Sequence, residues 1–226
     1  RKKYQIFTPE STVREMLSLL RRHGDLLGKS FLENSCGDGR FLVEVVMLYV
    51  NDCLDRGRTW SEIVVGLCRD IVGYELDKQK LSRCRKNLDA QITRLGCPYK
   101  VQWDLRNEDF LRAKIKRSFD FIIGNPPYLS YWNIPASERE YIRGRYDTCK
   151  KGLWDYCFAF IERSLRLLNE DGQFCYIIPS SIFKTFAAQG IRTLLVDHLV
   201  RIEEYGSGQV FDGVLTSAAI ILVDKQ

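Results

Sequence analysis

The segment Phe119–Tyr128, with the sequence FDFIIGNPPY, constrains the fold of this chain more than any other stretch. It begins with a short apolar run that Gly124 ends, and such a run is typical of a strand buried on both faces of a parallel α/β sheet. The strand cannot continue through Asn125-Pro126-Pro127, because two prolines fix φ at about −65° and remove two backbone donors. The sequence therefore predicts a stiff loop at the carboxyl end of a buried strand, where open α/β sheets bind ligands.

The Asn-Pro-Pro-Tyr loop carries groups that suit chemistry on a planar amino group. Such a nitrogen is a poor nucleophile, because its lone pair is delocalised into the π system. Two acceptors, the side-chain oxygen of Asn125 and the carbonyl of Pro126, could bind both N–H groups and stabilise the positive charge that develops on attack. Tyr128 could stack on a flat substrate. The alternative interpretation is an Asn-Pro turn that only caps the strand.

Length and composition favour one α/β domain. The 226 residues are 45% hydrophobic, which is enough for one substantial core, and the net charge of +5 permits a nucleic-acid partner. The eight cysteines include no CxxC pair, and His23 and His198 lie far apart, so no metal site is expected. Scattered cysteines, and the lack of a signal peptide or a membrane-length apolar run, favour a cytoplasmic location and no membrane partner. Because the chain opens at Arg1 without methionine, we expect a fragment of a longer protein.

A second candidate ligand site follows the predicted strand Phe31–Glu33. The turn after it contains Gly37 and Gly39 and leads into a predicted helix. Glycines let a ligand approach the backbone, and the helix N-terminus offers N–H groups to a carboxylate. Leu42 occupies the position of the third glycine in the dinucleotide fingerprint, which disfavours a pyrophosphate site. Glycine turns of this kind also occur without a ligand.

Two acids lie at or just after the ends of predicted strands. Glu75 lies in the strand Ile71–Asp77, where an acid can accept hydrogen bonds from both hydroxyls of a ribose. A third, weaker strand, Tyr99–Trp103, leads to Asp109 and Phe110. Asp109 could accept a hydrogen bond from an adenine amino group, and Phe110 could lie against the adenine ring. Either acid could instead be a solvated acid with no ligand.

The remaining patterns are those of an alternating α/β chain without internal repeats or an interdomain linker. The predicted helices are Ser11–Arg22, an additional helical excursion within Asn51–Asp70, Trp154–Leu168 and one within Phe186–Val196. The predicted later strands are Gln173–Pro179, Val200–Tyr205 and Leu215–Val223.

The stretch Ser137–Lys151 is basic. It carries three arginines and two lysines, interleaved with Tyr141 and Tyr146. These side chains could track phosphates beside the predicted site. A solvated helical face is the alternative.

The order of these motifs resembles one enzyme family. Phe-Thr-Pro, Glu-x-x-Cys-Gly-x-Gly-x-Phe, Gly-Tyr-Glu-x-Asp, Glu-Asp-Phe, Asn-Pro-Pro-Tyr and a late Phe before Thr-Ser-Ala-Ala occur in sequence. The pattern resembles the gamma-order N6-adenine DNA methyltransferases, especially the modification domains of type II restriction–modification enzymes. It covers the chain from Gln5 to Lys225 and is specific because of its order.

The resemblance implies a fold, a cofactor and a substrate. The fold would be that of a class I, Rossmann-like methyltransferase, with a mostly parallel seven-stranded sheet, an antiparallel last strand and helices on both faces. Residues 1–226 would form one S-adenosylmethionine-dependent domain that needs no metal, and the substrate would be an adenine flipped out of double-stranded DNA. The implied cofactor residues are Thr8, Glu33, Cys36, Gly37 and Gly39 at the methionine end, Glu75 at the ribose, and Asp109 and Phe110 at the adenine. The implied residues at the target base are Asn125, Pro126 and Tyr128, with Phe211 as a second stacking partner.

The chain departs from the family pattern in two ways. Asn34 stands where the family usually has proline, and the target-recognition domain that follows the last strand in family members is absent before Gln226. We therefore expect a recognition domain or subunit outside this chain as a partner.

Two alternatives remain. Protein-glutamine N5 methyltransferases use the same tetrapeptide on an amide, but they have a helical domain ahead of the glycine loop and lack the Phe-Thr-Pro start. A non-catalytic subunit that binds the cofactor and positions DNA would have no need for an intact Asn125–Tyr128.

Overall fold

The fold is built on one seven-stranded sheet, seen in a computed structural model that describes residues 8–21, 24–206 and 217–225. The strand order is β3-β2-β1-β4-β5-β7-β6. β1 to β5 run parallel, and β7 runs antiparallel to both β5 and β6. This confirms the predicted fold class. The strands are β1 (Phe31–Glu33), β2 (Ile71–Tyr74), β3 (Asp104–Arg106), β4 (Phe119–Gly124), β5 (Leu168–Pro179), β6 (Leu199–Tyr205) and β7 (Ala218–Asp224).

Seven helices of the described chain cover the two faces of the sheet. They are α1 (Glu10–Leu19), α2 (Arg40–Asp55), α3 (Trp60–Asp70), α4 (Lys78–Arg94), α5 (Ala136–Arg143), α6 (Cys157–Leu167) and α7 (Gln189–Leu195). Residues of α1 to α4 contribute to one hydrophobic core, and residues of α5 to α7 contribute to the other. α3 lies within the predicted helical excursion.

The burial of β4 follows from these two cores. Phe121 and Ile123 pack into the core on the α1–α4 side, whereas Phe119 and Ile122 pack into the core on the α5–α7 side. Because successive side chains of a strand point to opposite faces, a strand between two helical layers must be apolar at nearly every position. This is the physical basis of the apolar run, which only Asp120 interrupts.

The third strand was predicted in the wrong place. The structure puts β3 at Asp104–Arg106, directly after the predicted Tyr99–Trp103. Trp103 is buried, and its indole N–H donates to Asp89 of α4 at 2.8 Å, so its apolar character serves packing rather than a strand. β3 is an edge strand that pairs only with β2 in the described sheet. Such a strand carries no buried run for the sequence to display.

The sheet order brings the carboxyl ends of β2, β1 and β4 side by side. The loops after these strands are the segment around Glu75 after β2, the glycine turn after β1 and the Asn-Pro-Pro-Tyr loop after β4. All eight cysteines are free and six of them are buried, so most of them serve as small core residues. No helix in the described ranges is long and apolar enough to cross a membrane.

Candidate functional site

The glycine turn joins β1 to α2 and needs glycine at two positions. Gly37 and Gly39 have φ values of 55° and 92°, in the left-handed region that side chains disfavour. A Cβ on Gly39 would lie 2.6 Å from the Sγ of Cys84 in α4, so the turn can pack against α4 only without a side chain there. The turn ends at Gly39, and α2 begins at Arg40.

Glu75 holds this turn in place. One carboxylate oxygen accepts a hydrogen bond from the Gly37 N–H at 3.0 Å, and the other accepts from the Asp77 N–H at 2.8 Å. The carboxylate at the end of β2 is therefore fixed by backbone donors from its own loop and from the neighbouring one. Its remaining lone pairs can still accept bonds from a ligand.

Glu33, at the end of β1, is the most unusual acid of the site. Only 2% of its surface is exposed, and its Oε2 atom has no hydrogen-bond partner among the described residues. Burial raises the pKa of this carboxyl well above its usual range, and the nearby Cys84, Glu75 and Asp38 raise it further. A buried acid of this kind is poorly satisfied alone and suits a cation.

Asn125 lies directly after β4 and is held from two sides. Its side-chain amide donates to the Oγ1 of Thr8 at 3.2 Å, and its main-chain oxygen accepts a hydrogen bond from the Ser35 hydroxyl at 3.1 Å. Thr8 is itself buried. The N-terminal segment and the glycine turn thus both fix the tetrapeptide.

These residues line one cavity at the carboxyl edge of the sheet. Its lining includes Thr8, Glu33, Ser35, Cys36, Gly37 and Asn125. The structure therefore brings together four of the residues predicted at the methionine end of a cofactor and the first residue of the predicted catalytic tetrapeptide. Gly39 and Glu75 adjoin the cavity through the contacts described above.

Tyr128 is fixed at the other end of the tetrapeptide. Its hydroxyl donates to the main-chain oxygen of Ile177 in β5 at 2.6 Å, and burial raises its pKa well above the usual value. Pro126 is buried between these anchored residues. The tyrosine ring therefore has a set orientation before any substrate binds.

Asp109 and Phe110 lie beside the end of β2 but do not line this cavity. Asp109 accepts a hydrogen bond from the Leu111 N–H at 2.9 Å and starts a turn. Phe110 is 2% exposed and packs in the core, with its ring centroid 5.9 Å from that of Tyr74 and 5.4 Å from that of Phe160. Their role at an adenine ring stays a prediction. The predicted stacking residue Phe211 lies outside the described residues.

A buried polar network under the tetrapeptide was not predicted. Asn34 donates from its amide to the Tyr176 hydroxyl and to the Ser164 hydroxyl, the latter at 3.2 Å, and those two hydroxyls are 2.6 Å apart. Asn34 thereby ties the end of β1 to β5 and α6. The only signal in the sequence was a set of isolated polar residues in apolar surroundings, among them Ser35, which proved to contact Asn125.

The comparisons with known proteins decide the family. The model of the Eco57I restriction-modification methylases matches residues 58–211, which is more than half of the chain. The chain belongs to this family. It is also 34% identical over 251 residues to the type II restriction enzyme and methyltransferase RM.Eco57I of Escherichia coli, covering 89% of this chain and 25% of that protein.

Two further similarities concern the fold of the chain and the share of each known protein that it covers. The type II methyltransferase M.HincII of Haemophilus influenzae is 26% identical over 221 residues, covering 96% of this chain and 36% of that protein. A structure from Listeria monocytogenes, assigned provisionally to the class I S-adenosylmethionine-dependent methyltransferases, superposes with a TM-score of 0.70 at 18% identity, over all of this chain and 62% of that one. The chain thus spans about a third of the length of M.HincII.

Proposed function

We propose that this chain is the catalytic domain of a restriction–modification enzyme that methylates the N6 amino group of adenine in DNA. The observation that carries the proposal is the shared cavity, in which the buried acid Glu33 and the glycine turn meet Asn125. Membership of the Eco57I restriction-modification methylases supports DNA as the substrate. The glutamine-methyltransferase alternative has the tetrapeptide in its favour but lacks this support.

The site residues fit S-adenosylmethionine as the methyl donor. Its sulfonium and ammonium groups are cations, and Glu33 is a buried acid with one unpartnered oxygen among the described residues. The carboxylate of S-adenosylmethionine suits the N–H groups at the start of α2, just after Gly39. Its ribose suits Glu75, and its adenine suits the neighbourhood of Asp109 and Phe110. When bound, the cofactor supplies an electrophilic methyl group.

The tetrapeptide would act on the target nitrogen. The Asn125 side-chain oxygen and the Pro126 carbonyl would accept the two N–H groups of the adenine and stabilise the positive charge that develops as the N–C bond forms. The hydrogen bond from Asn125 to Thr8 fixes the orientation of the amide for this task. The methylated ammonium is acidic and loses its proton to water, so no strong general base is needed.

Tyr128 would hold the flipped base. Extruding a base from the duplex costs a few kcal/mol, and each aromatic–base stack contributes roughly 1–3 kcal/mol, so one or two rings can offset the cost. The bond from the Tyr128 hydroxyl to Ile177 presets one ring. Phe211 is proposed as the second ring, and a recognition domain or subunit outside this chain would select the DNA sequence.

The test uses the whole protein that contains this chain. It is incubated with methyl-labelled S-adenosylmethionine and, separately, with DNA, RNA and protein, and the DNA nucleosides are analysed by mass spectrometry. We expect N6-methyladenine in DNA only. Asn125→Ala should abolish transfer while cofactor affinity stays within a few fold, since the lost acceptor acts mainly on the reacting nitrogen. Asn169→Ala, at the amino end of β5, is the matched control.

Each contrary outcome has a distinct meaning. Label in protein glutamine would replace the proposal with the glutamine alternative, and N4-methylcytosine would leave methylation but change the base. Cofactor binding without transfer to any substrate would indicate a non-catalytic subunit. Near-normal turnover in Asn125→Ala would make the tetrapeptide a structural turn.

A further inference from the structure

A second pocket lies at the same edge of the sheet as the tetrapeptide. One wall comes from Ser130–Trp132, a segment that begins two residues after Tyr128, and another comes from Pro179–Ile182 at the end of β5. Its lining includes neither Asn125 nor Tyr128, so it is distinct from the site proposed for the target base.

Large apolar side chains at this pocket are exposed to solvent. Trp132 is 74% exposed and Leu153 is 53% exposed, and both line the pocket. Phe186, between the lining residues Thr185 and Ala187, is 88% exposed. We call Trp132, Leu153 and Phe186 the apolar rim. Apolar side chains clustered around one concave surface mark a binding site more often than scattered ones do.

The lining of the pocket also includes two residues with polar groups. Trp154 lines it and is fully buried, and its indole N–H has no acceptor among the described residues. Buried donors are nearly always satisfied, so this one indicates a missing acceptor. Asp155, next to it in the lining, has a carboxyl group whose Oδ1 already accepts a hydrogen bond from the Cys157 N–H at 3.0 Å. The exposed rings of Trp132 and Phe186 offer flat surfaces on which a heteroaromatic ring can stack.

Two arginines beside the pocket form no ion pair with an acid of the described chain. The guanidinium of Arg139 lies 4.7 Å from the ring centroid of Tyr131, and that of Arg143 donates to the Tyr131 hydroxyl at 2.8 Å. By contrast, Arg112 pairs with Glu138. Cations without acid partners beside an apolar pocket favour an anionic partner, and a DNA phosphate is one.

We propose that this pocket and the apolar rim bind an unstacked nucleobase of the DNA strand beside the target, while Arg139 and Arg143 contact the adjoining phosphates. The inference rests on the proposed function and extends it to a second contact with the substrate. An adjoining protein domain could also cover an apolar rim. The two arginines, which form no ion pair with a described acid, favour DNA.

The test separates bases from phosphates and needs no knowledge of the recognition sequence. The whole protein is titrated with a fluorescein-labelled thymidine 20-mer and with an abasic 20-mer of the same phosphate backbone, and anisotropy gives both affinities. Wild type should prefer the thymidine strand. Trp132→Ala should lose that preference, with a roughly tenfold lower affinity for thymidine, because base stacking on an aromatic residue contributes strongly to single-strand binding.

Two further variants serve as controls. Tyr99→Ala removes an aromatic residue that is 53% exposed and outside the pocket lining, and it should change neither affinity. Replacing Arg139 and Arg143 by glutamine should weaken binding of both strands and flatten the salt dependence, because phosphate contacts release counterions.

A cross-linking experiment distinguishes DNA from a protein occupant. With benzoylphenylalanine at position 132, irradiation should link the protein to the thymidine strand. Cross-links only within the protein, or unchanged strand preference in Trp132→Ala, would overturn the inference. The labelled-cofactor assay tests the proposed function separately. Absence of methyl transfer there would contradict the proposed function, regardless of which strand the protein prefers in the titration.

Discussion

Glu33→Gln is the substitution that tests the cofactor cavity most directly. The change keeps the shape of the side chain and prevents it from becoming negatively charged when a cation binds; the Oε2 of this carboxyl has no partner among the described residues. A hydrogen bond to a charged group is worth about 1.5–3 kcal/mol, so losing the ionic character of this contact should weaken S-adenosylmethionine binding roughly 10- to 100-fold.

Because the pKa of Glu33 is raised, cofactor binding should depend on pH in wild type and less so in Glu33→Gln. In the unliganded protein burial favours the protonated acid, whereas a bound cation favours the carboxylate. Binding should therefore release a proton at pH values between the pKa of Glu33 in the complex and its higher pKa in the free protein, and affinity should rise with pH across that window. Glu33→Gln should bind without this proton release.

The folding stability of the unliganded protein should fall as pH rises, whereas cofactor affinity should rise. An acid whose pKa is higher in the folded than in the unfolded state makes the folded protein less stable as pH rises from the unfolded value through the folded one. Wild type should lose stability through Glu33 in that range, and Glu33→Gln should not. Without ligand, the variant should thus gain thermal stability relative to wild type as pH rises above the pKa of the unfolded-state carboxyl.

Calorimetry in two buffers of different ionisation enthalpy measures both the affinity and the proton release. Glu44→Gln is a suitable control, because Glu44 is also buried on this side of the sheet but pairs with Arg14 at 2.9 Å. If Glu33→Gln binds the cofactor as tightly as wild type, and wild type releases no proton, Glu33 does not contact a cation and the assignment of the cavity fails.

Three further substitutions have expected outcomes. Ser35→Ala should lower kcat roughly 2- to 10-fold through loss of one neutral hydrogen bond, with cofactor affinity unchanged and activity retained in Ser35→Thr; steady-state kinetics showing no loss would remove the residue from the site. Glu75→Ala should weaken cofactor binding about tenfold or more and speed hydrogen exchange of the Gly37 amide; unchanged calorimetry would exclude the ribose contact. Tyr128→Ala should reduce the brightening of a fluorescent adenine analogue at the target position, and Tyr128→Phe should largely preserve it; equal brightening in all three proteins would argue against stacking.

The parts of the fold that the sequence predicted are those encoded by neighbouring residues. The apolar run of β4 and the prolines after it are adjacent, so the strand and its end could be predicted together. The glycines of the turn after β1 likewise reveal their conformation locally. β3 was misplaced because Trp103 is apolar for packing on α4, which a local pattern cannot distinguish from strand burial.

The contacts that shape the site depend on distant partners and could not be predicted in this way. The residues of the pair Ser35 and Asn125 are 90 positions apart, and those of the pair Asn34 and Tyr176 are 142 apart. Phe110 illustrates the same point, since its burial depends on Phe160 of α6. A pattern can indicate which residue types suit a ligand, but the network that orients them appears only when the sheet is assembled.

The order of the strands has a consequence for how this chain acquires its cavity. β1 and β4 are neighbours in the sheet, yet Ser30 and Asp120, which join them by hydrogen bonds, are separated by 90 residues. Contacts between distant residues form slowly because a long loop must close first. During synthesis, the turn at residues 34–39 must therefore wait until residue 125 has left the ribosome before the two halves of the cavity can meet. Ligand binding should accordingly appear among the last events of folding, after the helices that flank the turn.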